Sequence, residues 1–584
     1  FIINFLIYTI FKMFYYEYLN NSINKILQSL DKEGMMKEKI PKKTLFNIEI
    51  PVLQEYGDVS TNVAMVYSKK TDFKVNEFAE IIKLELLKDS VIDKINVVKP
   101  GFINIFFKNS FWQNQLKLVL ENKDKTKKKN DKKINIEYVS ANPTGLLHIG
   151  HARGAVLGDV ISNLLDEEGY NIIREYYIND AGNQIKLLID TIFFHLKNLN
   201  RKITKELPDQ LYPGEYLYDI SKKILSNNPN ILNETDKFEK IRFESIKIIL
   251  NDVKIDLNKL GVTHDIFTSE KEVTTDKAVK NVVSFLKEND LAYFGYQDPP
   301  KGIKEKNWKK TKQLLFKSKL ISDDSDRALI KNNGQLTYFM SDIIYHKNKI
   351  ERNFDTLLNI WGVDHSGYVA RLKNAISFMF ENKVNLEVKL TSLVNLIKNN
   401  KPIKMSKRKG TYITLREVLD EVGKDALRFM MVSRSSEKVI DFNFDLVKSK
   451  TKENPVFYVQ YAHARCYSIQ KLANETKKNV YKEIDFSLLS LKEEIVIMKN
   501  LASFSKILSI SAQKYEPHRL CNFLYELSKN FHNYWSLGTS DKNKRILVEG
   551  NDNLSDARLA LTNGVKIIIK KGLRILSISA PDQM

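Results

Sequence analysis

The chain has 584 residues, with 92 Lys and Arg against 71 Asp and Glu, a net charge of +21. Hydrophobic residues at 43% and aromatics at 10% can fill several cores, which excludes wholesale disorder. At roughly 150 residues per domain the length suits about four folding units. Two cysteines, Cys466 and Cys521, exclude a disulfide framework, and no Cys pair has the spacing of a zinc site.

In chain order, the opening run FIINFLIYTIFKMFYYEYLN breaks at Lys12, short of the roughly 18 residues of a membrane span. It has no basic n-region and no small-residue cleavage site. Residues 1–12 are therefore expected to lie outside the working protein, and no membrane partner is expected. Residues 14–120 read as a small α/β unit, with helical patterns near 14–30 and 75–89 and strand-like pieces at Leu45–Val52 and Gly101–Phe107. KDKTKKKNDKK, residues 123–133, holds seven Lys and two Asp and cannot be buried. Residues 121–133 are read as a solvated linker, ahead of the alternative of an RNA-backbone contact.

Ile134–Val139 is a short apolar strand, followed by a turn-rich segment and a helix from about 150 to 168. Strand, loop and helix alternate to about residue 390, which predicts an α/β domain with a doubly wound parallel sheet over 134–414. A Lys-rich, mostly helical insertion is expected around 195–290. Residues 415–584 carry helical periodicity with few Gly or Pro, predicting an all-α C-terminal domain. A pI near 9.3 fits a nucleic-acid partner, but the whole chain is rich in Lys, so charge alone leaves the partner open.

Two segments carry chemistry. In EYVSANPTGLLHIGHARGAVLGD, residues 137–159, a strand runs into a break and then into a helix opened by His148-Ile149-Gly150-His151. A helix N-terminus offers unpaired N–H groups and a positive dipole end, which suits a triphosphate. His148 and His151 are three apart, so both imidazoles can face one ligand and donate to phosphate oxygens. Gly150 leaves room for a nucleotide to approach. In KPIKMSKRKGTYITL, residues 401–415, the cations Lys404, Lys407, Arg408 and Lys409, in a short loop closed by Gly410, can fold over pyrophosphate.

The order HIGH, then Lys404-Met405-Ser406-Lys407-Arg408, on a doubly wound pattern resembles the class I aminoacyl-tRNA synthetases. SANPTGLLHIGH with its preceding Glu, EYGDVSTNVAM (55–65), DALRFMM (425–431), NPVFYVQYAHAR (454–465) and the ending GLRILSISAPDQM narrow the resemblance to the arginyl-tRNA synthetases. It implies ATP and Mg²⁺, no zinc and no other metal site, L-arginine and its tRNA as partners, and a monomer in the cytoplasm. It implies an arginine site at Glu137, Asn142, His148, Tyr338 and Asp342. Forked guanidinium donors pair best with carboxylates, which makes Glu137 and Asp342 chemically sensible. Trp361-Gly362 with Asp364 and His365 resembles the adenosine contact of the class, against the alternative of a buried Asp–His pair supporting the sheet.

The resemblance also makes residues 14–120 a tRNA-contacting N-terminal domain. The C-terminal helices become the anticodon reader, with Tyr458, Tyr461 and His463 as candidate RNA contacts. The expected reaction joins arginine to tRNA through arginyl-adenylate, with arginine activation dependent on bound tRNA. A nucleotidyltransferase sharing only HxGH would need no helical anticodon domain. A non-catalytic RNA-binding relative should have lost one of the two phosphate motifs.

Overall fold

The computed structural model describes residues 14–41, 44–51, 54–121, 130–201, 206–297, 311–381, 383–403, 413–476 and 484–584. Residues 1–12, most of the Lys-rich linker, and Lys404, Met405, Ser406, Lys407 and Arg408 lie outside the described residues.

A five-stranded, all-parallel sheet forms the centre, in the spatial order 385–391, 356–362, 133–137, 171–178, 266–269. Its middle strand, Lys133–Glu137, is buried from Ile134 onward, as expected for a strand covered on both faces. From that strand the chain builds outward one way through 171–178 and 266–269, and the other way through 356–362 and 385–391. The sheet order therefore reverses between 133–137 and 356–362. A crevice opens at such a reversal, at the carboxyl ends of the strands. The helix Ile149–Glu167 packs on this sheet and is buried nearly all round, with Ala152, Ala155, Val156, Val160 and Leu164 inward. Gly158 matters here because a Cβ would run into the ring of Tyr138.

The insertion differs from the expected helical block. Helices Gly182–Arg201, Glu215–Asn227 and Lys237–Leu260 leave the sheet, but the chain returns at Ile266–Ser269 to add the edge strand. That strand is only four residues long and its sequence, IFTS, has no room to display a period. A second departure is the three-stranded antiparallel sheet of 292–296, 312–316 and 327–330. A third is Ile440–Asn443, which pairs in parallel with Val394–Lys398 and so ties the start of the helical region to the catalytic unit.

The N-terminal unit has helices Tyr15–Lys32 and Val75–Leu87 over an antiparallel sheet of 48–49, 59–61, 92–98 and 102–107. Its last helix, Asn109–Glu121, packs on Lys492–Gln513 of the C-terminal bundle. Lys499 forms an ion pair with the buried carboxylate of Asp58 across this junction. Among the described residues one helix, Lys492–Gln513, is long and apolar enough to cross a membrane. It lies instead in the core, against His518–Ser540, Asp552–Ile575 and Asn109–Glu121. Each Leu or Ile wholly buried there contributes roughly 1.5–3 kcal/mol.

Three of the signature segments converge at the junction of the central and helical units. Arg428 of DALRFMM is fully buried and pairs with Asp159 of the helix Ile149–Glu167. It also donates to the carbonyls of Leu576 (2.7 Å) and Leu260 (3.0 Å). Gln460, from NPVFYVQYAHAR, donates to both Asp425 and the Ser579 carbonyl at 3.0 Å. Breaking a buried ion pair by removing one partner costs about 3–5 kcal/mol, so these motif residues join domains.

Candidate active site

Glu137 ends the middle strand, facing the crevice. The backbone then turns through Val139 (φ 69°) and Ser140 (φ 39°), the left-handed region that a β-branched valine avoids. The strained turn places the Ser140 hydroxyl 3.2 Å from Glu137 Oε1, to which it donates, while it accepts from the Tyr177 N–H at 3.1 Å. Farther along, the Tyr176 hydroxyl donates to the Ala141 carbonyl at 2.9 Å, and Asn142 donates to Gln184 at 2.8 Å. The loop is thus held before it reaches the helix.

His148 is the cap of that helix. The Gly150 N–H donates to His148 Nδ1 (3.1 Å), and the His148 N–H donates to His151 Nδ1 (3.2 Å). With both Nδ1 atoms accepting, each neutral imidazole carries its proton on Nε2. The rings stack with centroids 3.8 Å apart. This corrects two sequence expectations. The Gly150 N–H at the helix start is already satisfied by the His148 ring and is not open to a ligand. Gly150 leaves room first of all for the His148 ring, since a Cβ there would sit 2.9 Å from its Cε1.

The flanks of the second motif meet the first. Strand 401–403 ends at Ile403, and Thr414 forms a bridge with His148, while the Leu415 N–H donates to the Leu147 carbonyl at 2.8 Å. Thr414 then caps the helix Leu415–Val422. The exit from the KMSKR segment is therefore tied to the entrance of the HIGH helix.

Asp342 comes from the helix Tyr338–Glu351, capped by Thr337. Burial pushes its carboxyl up to about 7, helped by the charges of Glu137 and Glu270, and opposed by the Tyr368 hydroxyl and by Lys349. Tyr368 donates to Asp342 Oδ2 at 2.7 Å. Tyr338 opens the same helix four residues earlier, so the two share a face, and its ring is 75% exposed.

Two residues absent from the sequence reading complete this cluster. Glu270 directly follows the edge strand 266–269 and is buried. Burial raises its pKa against donation from Ser341 and Tyr177, and the charge of Asp180 raises it further. Lys349, 0% exposed, places its Nζ 2.6 Å from Glu137 Oε2 and 3.3 Å from Asn359 Oδ1. Glu137 is therefore already paired, which corrects the expectation of a carboxylate wholly available to a guanidinium. A polar stripe was legible for Lys349, because Asp342, His346 and Lys349 follow helical spacing. Glu270 needed the edge strand to be known first.

Gly362 ends its strand beside Glu137's strand, where Asn359 is the register partner of Glu137. His365 Nε2 lies 3.5 Å from Asp364, with side chains 58% and 79% exposed. An exposed pair at a strand end does not support the sheet from within, which removes that alternative. In the C-terminal bundle, His463 is 1% exposed and bonded to the Pro581 carbonyl at 2.9 Å. It cannot face RNA, a correction to its expected role. The cause is the last segment of the chain, which folds back over it. Tyr458 and Tyr461 are half-buried and gather around His532, with Arg465 over Tyr461 (4.6 Å) and Trp535 (5.3 Å).

A parallel sheet with an HxGH-capped helix at its switch point, tied to the KMSKR segment, defines a class I aminoacyl-tRNA synthetase. Three family models match in order: "Arginyl tRNA synthetase N terminal domain" over 17–107, "tRNA synthetases class I (R), catalytic domain" over 115–457, and "DALR anticodon binding domain" over 459–584. The chain is 42% identical over 571 residues to an arginine–tRNA ligase of Pelagibacter ubique, covering 96% of this chain and 98% of that one. It is 41% identical to an arginine–tRNA ligase of Wolbachia sp. subsp. Brugia malayi, covering 96% and 98%. The structure of Thermus thermophilus arginyl-tRNA synthetase shares the fold, with TM-score 0.74 at 18% identity, covering 97% and 99%. The chain belongs to the arginyl-tRNA synthetase family. Its activity is arginine–tRNA ligation, with ATP, arginine and the cognate tRNA as substrates.

Proposed function

We propose that this site attaches arginine to tRNA in two steps. The arginine carboxylate attacks the α-phosphorus of ATP, forming arginyl-adenylate and releasing pyrophosphate. A ribose hydroxyl of the terminal adenosine, the 2′-hydroxyl by class, then attacks the arginyl carbonyl and AMP leaves. Both nucleophiles belong to substrates, so the protein orients them and stabilises charge. The observation that carries the reading is the placement, at the carboxyl ends of the parallel strands, of the Glu137, Glu270 and Asp342 cluster and of the loop that leads from Glu137 to the His148–His151 pair.

Asp342 and Glu270 take the guanidinium fork, and Glu137 accepts one further donor of the arginine. Asn142 and Tyr338 line the approach. The Nε2–H groups of His148 and His151 follow charge onto the phosphates, joined by Lys404, Lys407 and Arg408, with Met405 and Ser406 shaping that segment. Gly362, Asp364 and His365 meet the adenosine. Mg²⁺ is assigned to the ATP phosphates, whose oxygens suit a hard cation.

The domains are assigned as 14–120 for tRNA contact, 121–133 as linker, 134–414 for catalysis and 415–584 for the anticodon. Tyr458 and Tyr461, with Arg465, offer rings and a cation to unpaired bases. The working unit is proposed to be a monomer, as the resemblance implies. Both cysteines are buried thiols, in keeping with the cytoplasm.

ATP–pyrophosphate exchange, run with each amino acid with and without tRNA, tests the proposal. Exchange with arginine alone, and only with tRNA present, is expected. No exchange with any amino acid would overturn it.

A further inference from the structure

A lysine wholly buried beside a pocket for a cation needs a reason. Lys349 lies on the helix that presents Asp342, one and then two turns beyond it after His346. Its ammonium reaches Glu137 Oε2 at 2.6 Å and Asn359 Oδ1 at 3.3 Å. Asn359 in turn donates to His346 Nε2 at 2.9 Å, and the other ring nitrogen of His346 bonds to the Asp342 carbonyl at 2.8 Å. The Tyr345 ring lies 4.3 Å from the same ammonium. The lysine is thus fixed on all sides by the helix and by two neighbouring strands.

Glu137, Glu270 and Asp342 share this crevice, with Glu175 on the neighbouring strand already paired to Arg352 at 2.8 Å, and like charges in low dielectric oppose one another's ionisation. A single guanidinium cannot balance the three that Arg352 leaves. Lys349 occupies one oxygen of Glu137 while Ser140 donates to the other, so Glu137 cannot offer two open oxygens to a fork. Asp342 has one oxygen held by Tyr368 and no cation bound to it among the ion pairs of the described residues.

We propose that Lys349 is the positioning residue of the arginine pocket. By holding Glu137 in a buried ion pair it fixes the pocket's charge and restricts Glu137 to a single substrate donor, leaving the fork to the remaining carboxylates. The inference rests on the assignment of this cluster as the arginine site.

A double-mutant cycle separates the two claims. Lys349→Met is expected to raise the arginine KM about tenfold or more, with the KM values for ATP and tRNA within twofold of the parent. Glu137→Gln is expected to raise it as well, and the double variant Glu137→Gln/Lys349→Met should match Glu137→Gln within twofold. The neutral pair removes the uncompensated buried charge, so it serves where Lys349→Met alone does not fold. An arginine KM unchanged in Glu137→Gln overturns the assignment of the site, and the inference with it. A raised KM in Glu137→Gln with an unchanged one in Lys349→Met overturns the positioning role alone. So does a double variant tenfold worse than Glu137→Gln.

Discussion

Around Asp342, carboxylates and a lysine are withdrawn from water and bonded into strands and a helix. Around His148, six residues beyond Asn142 on the same loop, two imidazoles stack at a helix end with their geometry set by backbone N–H groups. In the proposed assignment, the first region recognises a charge that is present before and after reaction, and the second meets a charge that shifts during it. Desolvated carboxylates discriminate strongly between a guanidinium and a neutral isostere, because an unpaired buried charge is costly. Half-buried imidazole donors leave ground-state phosphate binding weak and gain as charge develops.

Substitutions can sharpen this contrast. The largest effect is expected from Asp342→Asn, about 10³-fold in kcat/KM for arginine, in line with truncation of a buried charged hydrogen bond at about 2–5 kcal/mol. Exchange kinetics at varied arginine would measure it, and a loss confined to kcat would break the division of labour. His151→Ala should lower kcat about 10²-fold while leaving the arginine KM within a few fold. Its measurement is the same exchange assay at saturating arginine.

The pH dependence comes next. With Asp342 at about 7, its ionised fraction falls about tenfold per unit below that pH, so the arginine KM should rise correspondingly toward pH 6 and below. The stability sign is opposite to that of a salt-bridged carboxylate. Because the folded pKa lies above the ordinary 3.8, the stability given by the protonated carboxyl is full below about 3.8 and is lost as pH rises from there through about 7. Arginine should therefore raise the melting temperature more at pH 8 than at pH 6, and thermal scans with and without arginine would show it. The smallest effect belongs to the distant aromatic patch. Tyr461→Ala should raise the KM for tRNA about fivefold, consistent with roughly 1 kcal/mol for one stacked base, with arginine and ATP unaffected.

The central strand and the HIGH helix were readable because each has a clear period or a cap. The expected start near 150 lies one residue from the observed Ile149. The strands 92–98, 266–269 and 292–296 were missed for a common reason. They are edge or surface strands whose burial does not alternate, and pairing rather than pattern defines them. Missing 266–269 hid Glu270, and His463 was misread because nothing local shows that Ser579–Pro581 covers it.

By itself the sequence determined the catalytic family, through ordered motifs, and the helices, through local periodicity and capping. Only the tertiary structure decided which distant groups meet. Glu137 with Lys349, Asp159 with Arg428 and Thr414 with His148 are separated by hundreds of residues, and such contacts exist only once sheet order and packing bring distant strands and helices together.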